Sequence, residues 1–566
     1  MPEVRRNQLI NTDLVVIGAG AAGMTAALVA ALNGRQVTLI EKSALVGGTS
    51  SRSAGTLWVP GNHFMTAAES ESDLNQARQY LDALVDSFSP VELRLAFLAQ
   101  GPAMLRYLTS NTAIRFKPCP HHADYHPELP GAKPGGRPVE PELFDARLLG
   151  KHFKRLRSPI QEFMVFGGMM VSKADINLLL RAGRHWDGTV HASRLLCRYL
   201  FDRFSHPRGT RLTMGNALCA SLLFECLKHQ VEILTETETT SIEATGGPSY
   251  RLQVQCAGQA RAIQAGLGVV FAGGGFSGSA DQRREHLPAP APLNTAAFEG
   301  ADGSSQALAM AMGAQFGPSC QHNAWWFPSS LITRNDGTTG VFPHIIMDRA
   351  KPGLIAVDRN GSRFANEGLS YHQFSRAQYA SNAIPCWLIC DDHFIRRYGL
   401  GVIRPGGTGL RAALRTRYVH RSKTLGGLAA QIGIDAGGLM NSVQRMNRFA
   451  TTGIDEDFGK GADSLSRQNG DPEYRGVNPC LGPVDTAPFY AVQVRPADLG
   501  TSRGLLTDIR ARLLDSNGKP IPGLYACGND MQSVMGGQYP APGVTLGPAM
   551  TFAYVAALDC AAAETK

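Results

Sequence analysis

The sequence predicts an α/β protein: a discontinuous Rossmann-type domain interrupted by an inserted α+β domain. Three stretches predict it. Residues 13–17 are a short β-branched run that ends in Gly18-Ala19-Gly20-Ala21-Ala22-Gly23, followed by an alanine-rich helix over 24–32 and a second strand over Val37–Ile40. Residues 268–272 read as another strand, closing on Gly273-Gly274-Gly275. From Gly523 an apolar run, a Pro- and Gly-punctuated turn and a helical stretch over 544–554 return to the same sheet.

Each element has its reason. Gly18 allows the tight turn, Gly20 lets a pyrophosphate approach the backbone, and Gly23 lets the helix pack on the strand, with Ala21 and Ala22 in the same turn. Glu41, 18 residues beyond Gly23, is placed to accept hydrogen bonds from an adenosine ribose. A glycine turn without nucleotide is the bland alternative, and the complete strand–turn–helix–strand context argues against it. Residues 42–62 then put two glycines and a run of Ser and Thr directly after the ribose-binding strand end. That composition suits a cofactor extending past its pyrophosphate, which means a ribityl chain and flavin, hence FAD rather than NAD. Lys42, Gly48, Thr49, Ser50, Ser53, Ala54 and Gly55 are the candidate contacts here. Ala272 and Gly273 join them at the end of their strand, and Gly528, Asn529, Gly543 and Leu546 in the C-terminal stretch.

At 566 residues the chain exceeds one ordinary core. Residues 231–234 read as a further strand of the nucleotide sheet. The FAD-binding domain comprises 1–299 and 491–566, and the substrate domain is inserted at 300–490, with short strands over 354–358 and 386–389 and a helix over 437–449.

Composition excludes several classes. The formal charge is +8 with a pI near 8.9, a weak pointer to anionic partners. Eleven cysteines, odd in number and scattered, fit reduced thiols in a cytoplasmic protein, and Cys386 and Cys390 match neither a zinc ribbon nor a redox pair. Arg5-Arg6 leads straight into the first strand, with no separate cleavable region. No window is long and apolar enough to span a bilayer. Residues 151–211 carry twelve Lys plus Arg against four Asp plus Glu, a surplus equal to that of the whole chain. Interleaved are Phe163 to Phe166, Met169 to Val171, Leu178 to Leu180 and a helical pattern through Leu195, Leu196, Tyr199 and Leu200. Two readings fit: a solvated basic face over a helix packed on the core, or a surface resting peripherally on anionic lipid. No nucleic-acid-binding module accompanies the charge. Cys119, His121, His122 and His126 lack the spacing of tetrahedral ligation, so no metal is expected.

GAGAAG with its EK, GGTSSRSAG, DYHPELPGAKPGGRPVEP from Asp124, RFANEGLSY from Arg363, GIDEDF from Gly453, GDPEYRGVNPCLG from Gly470, and GLYACGN with MGGQYPAPGVTLGPAMTF run in order along nearly the whole chain. They closely resemble 3-ketosteroid Δ1-dehydrogenases, within the wider fumarate-reductase-like flavoprotein class. The resemblance implies FAD-dependent 1,2-dehydrogenation of ring A, with the C1 hydride passing to flavin N5. Tyr539 and the backbone N–H of Gly543 would hold the ketone oxygen, Tyr371 would take the C2 proton, and Tyr125 would assist it. What reoxidises the flavin, a quinone, an electron-transfer protein or oxygen, the sequence leaves open. Tyr is a poor base at its usual pKa of about 10 unless its anion is hydrogen-bonded or close to positive potential.

There are departures. Gly537-Gln538 stands where many members have His-Thr, and Asp530-Met531-Gln532 replaces smaller residues after Asn529; both lie, on this reading, close to steroid and flavin. A Δ4-(5α)-dehydrogenase of 3-ketosteroids draws on the same parts and stays open. A dicarboxylate reductase needs Arg and His around its substrate; residues 531–550 contain no Arg, Lys or His, which favours a neutral ketone. A membrane-tethered flavin- or lipid-binding protein without catalysis is the alternative of a different class.

Overall fold

Leu14, Val15 and Val16 are fully buried because strand β1 (Ile10–Ile17) lies inside a parallel sheet, where both faces are covered and a continuous apolar run is stable. In the computed structural model, which describes residues 9–172, 175, 178–179, 185–334, 336–345 and 348–563, the chain continues through helix α1 (Ala21–Leu32) to β2 (Val37–Ile40). The helix starts at Ala21 rather than at the expected Met24. The glycine turn ends in Gly20, whose extended backbone stands at the N-cap and, lacking a side chain, offers no capping oxygen of its own.

Next come three short strands, β3 (Leu57–Trp58), β4 (Phe116–Pro118) and β5 (Pro138–Pro141), which form an antiparallel sheet in the order β3-β5-β4. Helices α2 (Trp186–Ser205) and α3 (Met214–Lys228) follow. Only half of the apolar pattern in α2 is used for packing: Leu195 and Tyr199 are buried, whereas Leu196 and Leu200 face outward. Of the Leu178 to Leu180 run, Leu180 lies outside the described residues. Strand β6 (Glu232–Leu234) pairs with β2 in parallel, and the hairpin β7 (Thr237–Gly246) and β8 (Ser249–Cys256) leads to the long β9 (Gln259–Phe271). The sheet order is β6-β2-β1-β9-β8-β7.

The second domain is organised on a sheet containing β10 (Ala324–Thr333), β11 (Leu354–Val357), β12 (Cys386–Cys390) and β13 (Phe489–Thr501), with helices α4 (Tyr371–Ala380) and α5 (Ala436–Thr452). Alternate residues of β11 enter two different cores. Leu354 and Ala356 pack with Phe374 of α4, and Ile355 and Val357 pack with Leu439, Val443 and Met446 of α5. Because β13 runs unbroken from Phe489 to Thr501, a boundary at 490/491 would cut through it; we propose the second domain as 300–501 instead.

The chain then returns to the first sheet through β14 (Pro520–Ala526), whose Leu524, Tyr525 and Ala526 lie opposite Val269, Val270 and Phe271 at the end of β9. Helix α6 (Leu546–Ala562) closes the chain against α1. The ends of β1, β9 and β14 thus converge, with the start of α1, on one place.

Candidate active site

A cavity of about 590 Å³ opens there and runs between the two domains. Of the expected cofactor residues, Gly18, Gly20, Ala21, Ala22, Glu41, Lys42, Gly48, Thr49, Ser50, Ser53, Ala54, Gly55, Ala272, Gly273, Gly528, Asn529, Gly543 and Leu546 all line it. Gly23 does not. A Cβ on Gly23 would sit 1.8 Å from the Gly18 carbonyl oxygen, so its smallness serves packing under the turn. Gly18 itself has φ +104°, and a Cβ there would meet the Ala272 carbonyl oxygen at 2.3 Å.

The donor set fits an FAD. Backbone N–H groups at the start of α1, where Gly20 brings no side chain, suit a pyrophosphate. Glu41 is buried with no cation bonded to it; one oxygen accepts from Ala19 N–H (3.1 Å) and the other from the N–H and O–H of Ser43, leaving acceptor capacity toward the cavity. Ser50 Oγ accepts from Ala21 N–H at 3.2 Å and so ties the Ser/Thr stretch to the glycine turn.

Several lining residues carried no recognised signal: Thr237 to Thr239, Thr213, Met214, and the segment from Ala296 to Ser305. The last is held by Lys42 Nζ to Asp302 (2.7 Å) and by Phe298 N–H to Thr49 Oγ1 (2.8 Å). Its Gly300-Ala301-Asp302-Gly303-Ser304 run has the turn composition that could have marked it.

Asp530, expected close to steroid and flavin, does not itself line the cavity but lies directly behind its wall. Fully buried, it accepts from Gly273 N–H (2.6 Å), Gly275 N–H (2.8 Å) and Ser305 O–H (2.6 Å), fastening the end of β9 to the next segment. Burial raises its pKa. Met531, Gln532, Gly537 and Gln538 likewise do not line this cavity, and Gly537 is pressed against the His322 backbone.

Where the cavity enters the second domain, three tyrosines from distant segments meet. Ring centroids are 5.5 Å apart for Tyr125 and Tyr371, 5.2 Å for Tyr371 and Tyr539, and 5.8 Å for Tyr125 and Tyr539. Tyr371 is the first residue of α4, behind Ser370, whose side chain caps the helix by accepting from Gln373 N–H. Tyr539 opens the Pro540-Ala541-Pro542 turn. Tyr125 N–H donates to Pro540 O at 2.7 Å, and Tyr80 O–H donates to the same oxygen at 2.7 Å.

Gly543 is locked from the other side. Trp58 N–H donates to Gly543 O (3.0 Å), and the Trp58 indole N–H donates to Asp124 (3.0 Å), the neighbour of Tyr125. Asp124 and Asp73 share the fully buried Arg137, whose guanidinium also reaches Gly131 O. Burial pushes Asp124 up to about 6, against the opposing pull of Arg137. Burial also raises all three tyrosines, Tyr539 to about 12, and the Tyr371 phenol is pushed up further by Tyr125 and Tyr539, the Tyr125 phenol by Tyr539.

The cavity is less neutral than residues 531–550 alone predict. Lys117, His121, His122 and Glu140 line it from β4, β5 and the loop before Tyr125. Lys117 Nζ lies 3.4 Å from Glu140. Cys119, His122 and Glu140 bring their side-chain donor atoms within 4.8 Å of one another, while His126 turns away to Glu128. The Lys117 cation on Glu140 competes with any metal there. Apolar side chains, Leu143, Ile160, Val171, Phe342, Ile345, Leu369 and Leu465, line it as well, beside Ser172, Gln468 and Asn469.

Comparison with known proteins gives concordant matches. The family described as FAD binding domain matches residues 13–546. A 3-oxosteroid 1-dehydrogenase from Mycolicibacterium smegmatis is 35% identical, over 97% of this chain and 97% of its own. A 4-oxocyclohex-2-ene-1-carboxylate 5-dehydrogenase from Sinomonas cyclohexanicum is 34% identical, over 99% and 95%. Among solved structures, the 3-ketosteroid delta1-dehydrogenase from Sterolibacterium denitrificans, in complex with 1,4-androstadiene-3,17-dione, superposes with TM-score 0.90 at 36% identity, covering 98% of this chain and 100% of that one.

Proposed function

We propose that this chain, which belongs to the FAD binding domain family and has FAD as its cofactor, is a 3-ketosteroid Δ1-dehydrogenase. It removes hydrogen from C1 and C2 of a ring-A ketone. The observation that carries this reading is the meeting of Tyr125, Tyr371 and Tyr539 at the wall of the cavity that also holds Gly543 and the nucleotide cradle.

A proton leaves C2 beside a ketone only if the oxygen is stabilised as charge grows on it. Tyr539 and the Gly543 N–H serve as the two donors. With its pKa raised to about 12, Tyr539 stays protonated near neutral pH and can donate. The stiff Pro540-Ala541-Pro542 turn and the Trp58 contact hold both in place. Tyr371 takes the proton. It does so as phenolate; because burial raises its phenol well above the usual value, that form is scarce near neutral pH and grows as pH rises. FAD, when bound, supplies the acceptor for the hydride from C1.

Incubation of the purified protein with androst-4-ene-3,17-dione and an artificial electron acceptor tests the reading. The expected product is the 1,4-diene; its absence would sink the Δ1 assignment.

A second reading, dehydrogenation of a single-ring 4-oxocyclohexanecarboxylate, uses the same tyrosines. Lys117, His121 and His122 in the cavity speak for an acidic substrate. Against it, Lys117 is already engaged by Glu140, and the apolar side chains of Leu143, Ile160, Val171 and Phe342 line the same cavity. Comparing kcat/KM on the two ketones separates them; a higher value on the cyclohexanone acid would favour the second.

Among the described residues no helix is long and apolar enough to cross a membrane, and all eleven cysteines are free. We further propose that α2 rests on an anionic bilayer surface. Trp186, Phe201 and Phe204 are 82%, 78% and 89% exposed, and Leu200 lies on the same outward side, opposite buried Leu195 and Tyr199. An apolar face among basic residues suits lipid headgroups. In flotation with liposomes containing anionic lipid, wild type is expected to float and a Trp186→Ser/Phe201→Ser/Phe204→Ser variant to stay at the bottom. Equal partition of the two would refute the contact.

A further inference from the structure

Arg349 is a buried cation without a role in the mechanism above. It is 2% exposed, and among the described residues its side-chain hydrogen bonds all go to backbone carbonyls. Nε donates to His344 O (2.7 Å), Nη1 to Glu367 O (2.9 Å) and Leu369 O (3.2 Å), and Nη2 to Ile345 O (3.3 Å) and Leu369 O (3.2 Å). The guanidinium also lies 4.7 Å from the centroid of Phe374, one turn into α4. These partners belong to two segments that touch the substrate cavity, through Ile345 and Leu369. Leu369 is followed by Ser370, the cap of α4, and by Tyr371.

We infer that Arg349 is a positioning residue for the proton-accepting tyrosine, clamping the segment that starts α4 and holding a buried positive charge that faces Tyr125, the neighbour of Tyr371. The inference rests on the assignment of Tyr371 as base. An arginine suits both tasks, since its planar fork can satisfy several carbonyls at once and its charge survives burial. Among the described residues no direct ion pair cancels the charge. Asp348 and Glu367 face Arg349, but Asp348 is held by His344, and Glu367 by Arg363 and Lys460. Tyr125 is faced by Tyr539, Tyr371 and Arg349, and Tyr371 by Tyr125 and Tyr539. A cation here favours phenolate, so removing it moves the activity that depends on phenolate to higher pH.

Four holoenzymes test this: wild type, Arg349→Gln, Arg349→Lys and Tyr371→Phe. Each is measured for bound flavin, for kcat and KM on androst-4-ene-3,17-dione across alkaline pH, and for tyrosinate absorbance in the near ultraviolet. Arg349→Gln is expected to keep its flavin and its KM, to lose kcat by about 10²-fold, and to shift the alkaline rise in kcat upward by about one pH unit. Arg349→Lys keeps the charge and loses the fork, so kcat falls while the rise stays in place. A uniform drop in kcat with an unmoved pH profile in Arg349→Gln would leave only a structural role and overturn the inference. So would full kcat in both variants, or an equal pH shift in both. If Arg349→Gln fails to hold flavin, Arg349→Lys decides: unchanged kcat or a moved profile overturns the inference. Turnover retained by Tyr371→Phe would instead refute the base assignment itself, which the same assay reports separately.

Discussion

Tyr371→Phe is expected to leave flavin binding, thermal stability and steroid affinity close to wild type and to lower kcat by about 10²- to 10⁴-fold, the range attributed to a positioned proton-transfer group. The ring keeps its contacts with Tyr125 and Tyr539, so the packing of α4 against the cavity survives; only the hydroxyl is lost. Single-turnover reduction of the bound flavin by substrate, followed at its visible absorbance, reads the chemical step directly. The pH dependence has a defined sign. Burial raises the Tyr125 and Tyr371 phenols, so in the wild type the base form grows with rising pH and kcat climbs on the alkaline side. In the Phe variant the residual rate loses that climb. Normal flavin reduction in Tyr371→Phe would remove the tyrosine from the mechanism and assign proton abstraction to another group.

Gly543→Ala carries the second large effect, by a different route. Gly543 has φ +98°, and an added Cβ would lie 2.5 Å from Trp58 N and 2.7 Å from the Leu57 carbonyl carbon. Both are backbone atoms of β3 and cannot swing aside. The strain of a left-handed alanine is about 1–3 kcal/mol before the clash is counted, so the turn must move away from β3 and carry the ketone donors with it. A displacement near 1 Å costs roughly 10²-fold in rate. The expected result is a fall in kcat/KM of at least about that size, with a lower melting temperature and weaker flavin retention. Gly426→Ala is the control: it sits in the helix Leu425–Ile432, with nothing within 4 Å of the new Cβ, and is expected to match or slightly exceed wild-type stability. Equal kinetics for Gly543→Ala and wild type would exclude a fixed donor at that position.

What could be read from the residues alone follows a physical division. The glycine turn, Glu41 and the stretch to Gly55 are legible because strand, turn, helix and strand are consecutive, so spacing specifies geometry. Their convergence on one cavity is what local sequence implies. The three tyrosines are different. Tyr125 and Tyr539 are brought together by a carbonyl of Pro540 and by Trp58, contacts that have no period along the chain; only whole motifs could pair them. The same limit hid Arg349, whose partners are backbone atoms of any residue type, and Lys117, which enters the cavity from a strand far from the turn judged neutral. Asp530 misled because its carboxylate turns behind the wall that its neighbour Asn529 lines, to bond the backbone at the end of β9. The second domain boundary slipped because an unbroken strand from Phe489 to Thr501 carries no compositional break.

Pro540 O, shared by Tyr125 N–H and Tyr80 O–H, has an implication for how such a protein can be re-engineered. The groups that would do chemistry are fastened to one another and to Arg137, whereas Leu143, Ile160, Val171 and Phe342, which shape the far walls, take no part in that clamp. Reaction and ring-size preference are therefore separable design variables. A library confined to those four wall positions can be screened on ketones of different bulk while the clamp stays untouched, and diversification by natural drift would be expected to accumulate there first.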